Sequence, residues 1–159
     1  MLKSLLLIVI FFTAQFAVQA QLVKFPLQKG FVNDYEGLFS TSQQNELNTL
    51  IIEFEKKTNR EIVIITLNDI KPYKDVGDYS KDLSYNWSIT KDEVRNGLLV
   101  IVSRTLKTVR IITAFGTHQL IRDDVCRNII ENEMIPLYTL GNYFVGTKQG
   151  LLSLMKEWK

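Results

Sequence analysis

The chain has 159 residues, 46% of them hydrophobic, with 19 Lys and Arg against 17 Asp and Glu and a formal charge of +2. That length fits one domain able to bury a substantial core. The near-balance of charge leaves no electrostatic footprint for nucleic acid, and the single cysteine, Cys126, excludes a disulfide within the chain.

Residues 1–20 read as a cleavable secretory signal: Lys3 gives a positive start, Leu5 to Phe12 an apolar run, and Val18-Gln19-Ala20 small residues ahead of the cut. Thr13, Gln15 and Gln19 break the run well short of the roughly 20 apolar residues that a membrane anchor needs. The protein is therefore expected to be exported, to a periplasmic or extracellular location, as a chain that starts at Gln21. Residues 21–30, containing Pro26 and Gly30, read as an extended lead-in, and residues 31–159 as the folded domain.

Phe31 to Phe39 mixes the turn residues Asn33, Asp34 and Gly37 with apolar Val32, Tyr35, Leu38 and Phe39. Ser40 to Gln43 has capping-box spacing and opens a helix whose Leu47, Leu50, Ile51 and Phe54 share one face. Asn59-Arg60 ends it, and Glu61 to Leu67 is a β-branched run suited to a strand covered on both faces. After a loop containing Pro72, Asp78 is the expected cap of a second helix that turns Tyr79, Leu83 and Trp87 inward. Ile89 to Asn96 reads as polar loop. Gly97 to Val102 and Val109 to Thr113 predict an antiparallel hairpin, with Lys107 and Arg110 in solvent. A third helix from Asp123 buries Val125, Cys126, Ile129, Ile130 and Met134 and stops before Pro136; a fourth from Asn142 presents Phe144, Leu151, Met155 and Trp158. The fold class is α/β: a mixed sheet of three or four strands with helices on both faces, a three-layer sandwich.

The catalytic inventory is thin. His118 is the sole histidine and no G-x-S-x-G elbow offers it a serine. Cys126 lies on an apolar helix stripe and reads as core. One Cys and one His in separate elements do not make a zinc site, and the phosphate-cradling glycine motifs are absent. Calcium or magnesium needs only converging oxygens, and Asp34, Asp69, Asp75, Asp92, Asp123 and Asp124 fall in predicted loops or at helix starts, positions that equally suit capping. Asn86-Trp87-Ser88 is formally a glycosylation acceptor of low specificity.

VNDYEGLFS ahead of a helix, then EIVIITL, NGLLVIV, VRIITAFG and NYFVGTKQGL, resemble the TPM domain family in order and spacing from Val32 to Trp158. That family includes thylakoid-lumen proteins of photosystem II repair, nematode modulators of acetylcholine receptors and many exported bacterial proteins of unknown role. The resemblance implies an α/β/α sandwich, and with it a possible acid phosphatase activity and a divalent-cation site. Asn33, Asp34, Tyr35 and Gly37 match the opening motif, and Asn96 and Gly97 match the start of the central strand. The family's aspartate before that asparagine is Arg95 here, its G-Y-G turn is Ala114-Phe115-Gly116, and the acidic position after the turn is His118. Asp34 remains as the matching carboxylate, with Asp123 or Asp124 as helpers, so any calcium or magnesium binding is expected to be weak. Arg95 reads equally as an anion-binding guanidinium and as a solvated loop residue.

Two functions follow. The first is a non-catalytic binding or assembly module of the cell envelope. It would engage an envelope or membrane protein through loops gathered at one end of the sheet: Asn33-Asp34, Arg95-Asn96 and Phe115 to His118. The second is a weak metal-assisted acid phosphatase in which Asp34 binds metal or supports the nucleophile and Arg95 orients phosphate.

Overall fold

The structure, a computed structural model, describes residues 24–90 and 96–158. The expected signal segment, residues 1–20, and Arg95 fall outside the described residues, as do Asp92 and the first three residues of the lead-in.

Four strands form one sheet in the order β1-β2-β3-β4: β1 Val32–Asp34, β2 Glu61–Thr66, β3 Gly97–Ser103 and β4 Thr108–Thr113. The first three are parallel and β4 returns antiparallel to β3. The expected hairpin is present, its tight turn closed by Lys107 at φ 50°. The addition is β1. Only three residues long, it carries no alternation of its own and lies inside a segment read as turn; its pairing with the far stronger β2 makes it a strand.

Between β1 and β2 runs α1, Thr41–Thr58, opened by the Ser40–Gln43 capping box and closed by Asn59 in the left-handed conformation. Its Leu47 and Ile51 are fully buried against Ile62, Ile64 and Leu98, each worth about 1.5–3 kcal/mol on removal from water. Between β2 and β3 runs α2, Val76–Asn86, on the other face, where Tyr79 and Leu83 meet Val63, Ile65, Leu99 and Ile101. Its cap is Asp75 rather than Asp78. The Asp75 carboxylate accepts the Asp78 N–H at 3.0 Å, so Asp78 sits one turn inside, where its charge suits the helix dipole. The two crossovers step the same way across the sheet but on opposite faces, so they have opposite hands, and one departs from the nearly universal right-handed rule.

The remaining helices follow β4: α3 Phe115–His118, α4 Asp123–Ile129, α5 Ile135–Thr139 and α6 Tyr143–Glu157. Cys126, Ile129 and Met134 of this run join α6's Leu151 and Leu154 in the α1-side core, with Trp158 just beyond α6. The helix does not stop before Pro136. Residues Ile130–Met134 widen into a π-helical stretch, with the Ile135 N–H reaching the Ile130 carbonyl, and Pro136 then starts α5 where its missing N–H is harmless. The lead-in is irregular but packed: the Phe25 ring lies tilted against Tyr73 and Tyr79, with centroids 6.1 and 5.6 Å apart, and the Trp87 indole N–H donates to the Pro26 carbonyl at 2.9 Å.

Candidate functional site

At the C-terminal ends of the parallel strands, β1 leads to α1 on one face and its neighbour β2 leads to α2 on the other. Diverging connections of this kind open a crevice where α/β proteins commonly take ligands. The VNDYEG segment lies there. The buried Asn33 amide donates to the Gly30 carbonyl at 2.8 Å and to the Ile64 carbonyl at 3.3 Å, while its oxygen accepts the Lys29 N–H at 2.7 Å. Asp34 is half-buried, and its carboxylate accepts the Leu38 and Phe39 N–H groups at 2.9 Å each, the Thr66 hydroxyl, and the Gln44 amide at 3.4 Å. A carboxylate offers about four lone-pair directions, so these donors occupy its acceptor capacity and fold the 35–39 loop over the end of β1. Gly37 makes that turn at φ 69°.

Glu36 completes the pattern, and the sequence reading overlooked it. Its side chain, 3% exposed, accepts the Arg104 and Thr105 N–H groups at 3.0 and 2.8 Å and the Thr105 hydroxyl at 2.6 Å, stapling the β3–β4 turn to the loop after β1. Nothing local signals this, because the partners are 68 and 69 residues away.

A cavity of about 450 Å³ remains in the crevice, lined in part by Phe25, Tyr35, Asn68, Asp69 and Tyr79. Asp69 is held below the usual carboxylate range, first by the Lys71 N–H, against a smaller opposing effect of burial. Lys71 Nζ stands 3.3 Å from it in an exposed pair. The Tyr79 phenol is pushed up to about 12, chiefly by burial, and Tyr73 also to about 12, chiefly by its hydrogen bond to Asp82.

Asn96, Gly116 and His118, grouped with Asp34 from the sequence, lie at the opposite end of the sheet. Asp34 pairs with Thr66 at the end of β2, whereas Glu61 at its start pairs with Gly97. The five residue steps from Glu61 to Thr66 correspond to about 17 Å of strand. Asn96 is exposed at the entry to β3, its carbonyl accepting the Glu61 N–H at 3.0 Å. Gly116 and His118 lie on α3, just after β4 ends beside the start of β3. The expected gathering of loops at one end of the sheet is therefore corrected to two separate ends: β1 finishes where β3 finishes, and the antiparallel β4 finishes where β3 begins.

At this second end His118 Nδ1 is 3.5 Å from Asp123 Oδ1 and 3.5 Å from the Thr113 hydroxyl, while Asp124 pairs with Arg122 at 3.3 Å. Asp123 and Asp124 are exposed in the first turn of α4, where a negative charge favours the helix dipole. The proposed set Asp34, Asp123 and Asp124 is thus divided between the two ends. Among the described residues no three His, Cys, Asp or Glu side chains converge as a metal centre requires. Gly97 is fixed by crowding rather than chemistry, since a Cβ there would lie 2.2 Å from the Ile89 carbonyl oxygen. Cys126 is buried in the α1-side core, and burial raises its thiol to about 11.

Fold and motifs together define a mixed α/β/α sandwich whose opening signature clamps the loops at one end of the sheet. The TPM domain model matches residues 32–157, and the chain belongs to that family. Among solved structures, an N-terminal domain of a Porphyromonas gingivalis protein (P.gingivalis) is 27% identical with a TM-score of 0.74, covering 80% of each chain. The BA42 protein of Bizionia argentinensis is 23% identical at TM-score 0.63, over 79% of this chain and 88% of its own. The N-terminal domain of Corynebacterium glutamicum cg2496 is 13% identical at TM-score 0.60, over 87% and 86%. These last two share the fold. No curated protein matches the chain.

Proposed function

We propose that this TPM domain acts by recognition, as an exported, non-catalytic binding or assembly module that engages an envelope or membrane protein. The observation that carries the reading is the state of Asp34. The carboxylate on which the family resemblance would build a cation site is saturated by the donors of its own loop. Its candidate helpers Asp123 and Asp124 stand at the far end of the sheet beside His118 and Arg122. Metal-assisted phosphoryl transfer needs oxygens that hold a cation against the transferring group and activate water, and a divided, self-satisfied set of carboxylates suits that task poorly.

The test is calorimetric titration of the protein with calcium and with magnesium, followed by hydrolysis of an aryl phosphate with and without each ion. The recognition reading expects neither saturable binding nor turnover. Saturable binding with metal-dependent turnover that Asp34→Ala abolishes would establish the phosphatase alternative instead. Export has its own check. N-terminal sequencing of the protein recovered from outside the cytoplasm should begin at Gln21, and recovery only of an intact Met1 form from the cell interior would remove the export reading.

A further inference from the structure

The two edges of the sheet are treated differently. β1 is only three residues long and lies beside a packed lead-in. β4 forms the other edge with six residues, Thr-Val-Arg-Ile-Ile-Thr, without proline or bulge. Proteins usually shorten, bend or charge such an edge, because an unpaired ladder invites another strand.

The register identifies the available groups. The Ala114 N–H bonds to the Gly97 carbonyl at 2.9 Å, and in an antiparallel ladder the bonded pairs alternate. The N–H and C=O of Thr108, Arg110 and Ile112 therefore turn inward to β3, and those of Val109, Ile111 and Thr113 turn outward. A groove follows this edge. One part lies between β4 and α4, bounded by Cys126, Arg127 and Ile130; it continues into a cavity of about 680 Å³ between the hairpin turn and α5, where the exposed Ile135 and the half-buried Tyr138 and Tyr143 form an apolar wall. Arg104, Lys107 and Arg127 supply its cationic side chains, Arg104 also standing 4.0 Å from Glu36, while the Arg110 guanidinium lies on the other face of the sheet beside Gly77 of α2; Asp123 is the one carboxylate among the described lining residues.

We infer that the groove beside β4 receives an extended acidic–apolar peptide of a partner protein as a fifth strand. This deepens the recognition reading and rests on it. Main-chain bonds to Val109, Ile111 and Thr113 supply affinity that is indifferent to sequence, and alternate side chains entering the groove supply selectivity. Charge decides the occupant. A second copy pairing β4 with β4 would bring two cationic rims together, whereas glutamate or aspartate at alternate positions of a partner strand complements them.

The probe is a short synthetic peptide alternating valine with glutamate; its control carries lysine in place of glutamate. Amide hydrogen exchange of the full chain is followed by NMR. The expected result is slowed exchange at Val109, Ile111 and Thr113, with Arg110 and Ile112 unchanged because β3 already holds them, and no effect from the control. Arg127→Glu combined with Lys107→Glu, both at exposed positions, should weaken the acidic peptide at least about tenfold, and Val109→Pro, which deletes one outward donor and leaves the cationic rim intact, should weaken the same peptide as well. Peptide binding that leaves the three amides unprotected overturns the assignment. So does no binding, or protection that grows with protein concentration without peptide, which would make the edge a self-association surface. None of these failures touches the cation and phosphatase titrations on which the recognition reading itself stands.

Discussion

Replacing Asp34 with alanine separates an architectural carboxylate from a functional one. The substitution removes the acceptor for the Leu38 and Phe39 N–H groups, for the Thr66 hydroxyl and for the Gln44 amide. Thr66 is fully buried and Phe39 nearly so, whereas Asp34 is half-buried, so water can re-bond some of these donors. Taking the two backbone bonds at the low end of the 1.5–3 kcal/mol typical of charged acceptors, and nothing for the long Gln44 contact, the loss is about 3 kcal/mol. For a domain of this size that is a fall of about 10 °C in melting temperature. Urea unfolding followed by circular dichroism is the assay, and an unchanged m-value would show that the midpoint shift reports stability alone. Asp34→Asn should recover little, because its amide NH₂ meets the donors that the second carboxylate oxygen accepts. A midpoint within about 0.5 kcal/mol of the parent would refute the reasoning. Greater stability than the parent would point to a carboxylate retained at a cost for ligand chemistry.

Glu36→Ala should loosen the β3–β4 turn by about 2 kcal/mol, seen as faster amide exchange at Arg104 and Thr105; unaltered exchange there would deny the staple. Gly97→Ala forces a Cβ against the Ile89 carbonyl and should cost about 3 kcal/mol or more, read as lost expression of folded protein or a collapsed urea midpoint, while a near-normal midpoint would show the Ile89 segment to be pliable. Cys126 should resist a disulfide reagent at pH 8 and react at once in denaturant, as its burial and raised thiol imply; prompt labelling of the folded protein would contradict its place in the core. Tyr79 keeps its proton in the folded state up to about 12, against 10.0 for the free side chain. Its contribution is therefore intact below pH 10 and lost as pH rises through 12. Urea midpoints at pH 9 and 11 should differ more for the parent than for Tyr79→Phe, and equal differences would assign the alkaline loss to other groups.

Elements with strong local patterns were legible in the sequence. The capping box at Ser40, the β-branched run of β2 and the hairpin of β3 and β4 all carry their signal within a few residues. Elements defined by partners were not. β1 is a strand because β2 lies beside it, and the helix passes Pro136 because a π-helical stretch precedes it, a register that apolar spacing does not encode. The same division governs the site. The motif VNDYEG was visible, but its meaning depended on Thr66, Gln44 and the Arg104–Thr105 turn, remote in sequence and met only in the fold. Motif resemblance likewise placed Asn96, Gly116 and His118 with Asp34, because similarity along a chain does not record at which end of a sheet each loop emerges.

β2 contributes to both cores. Ile62 and Ile64 complete the side beneath α1 and α6, and Val63 and Ile65 the side beneath α2. Neither layer can come away without stripping one face of the strand that the other also needs, and among the described residues no boundary separates one interior from the other. The two layers should therefore melt in a single all-or-none transition. Because β2 must find β3 across the intervening α2 crossover and β1 across α1, its docking is a slow, non-local event, which makes this six-residue segment the expected pacemaker of folding.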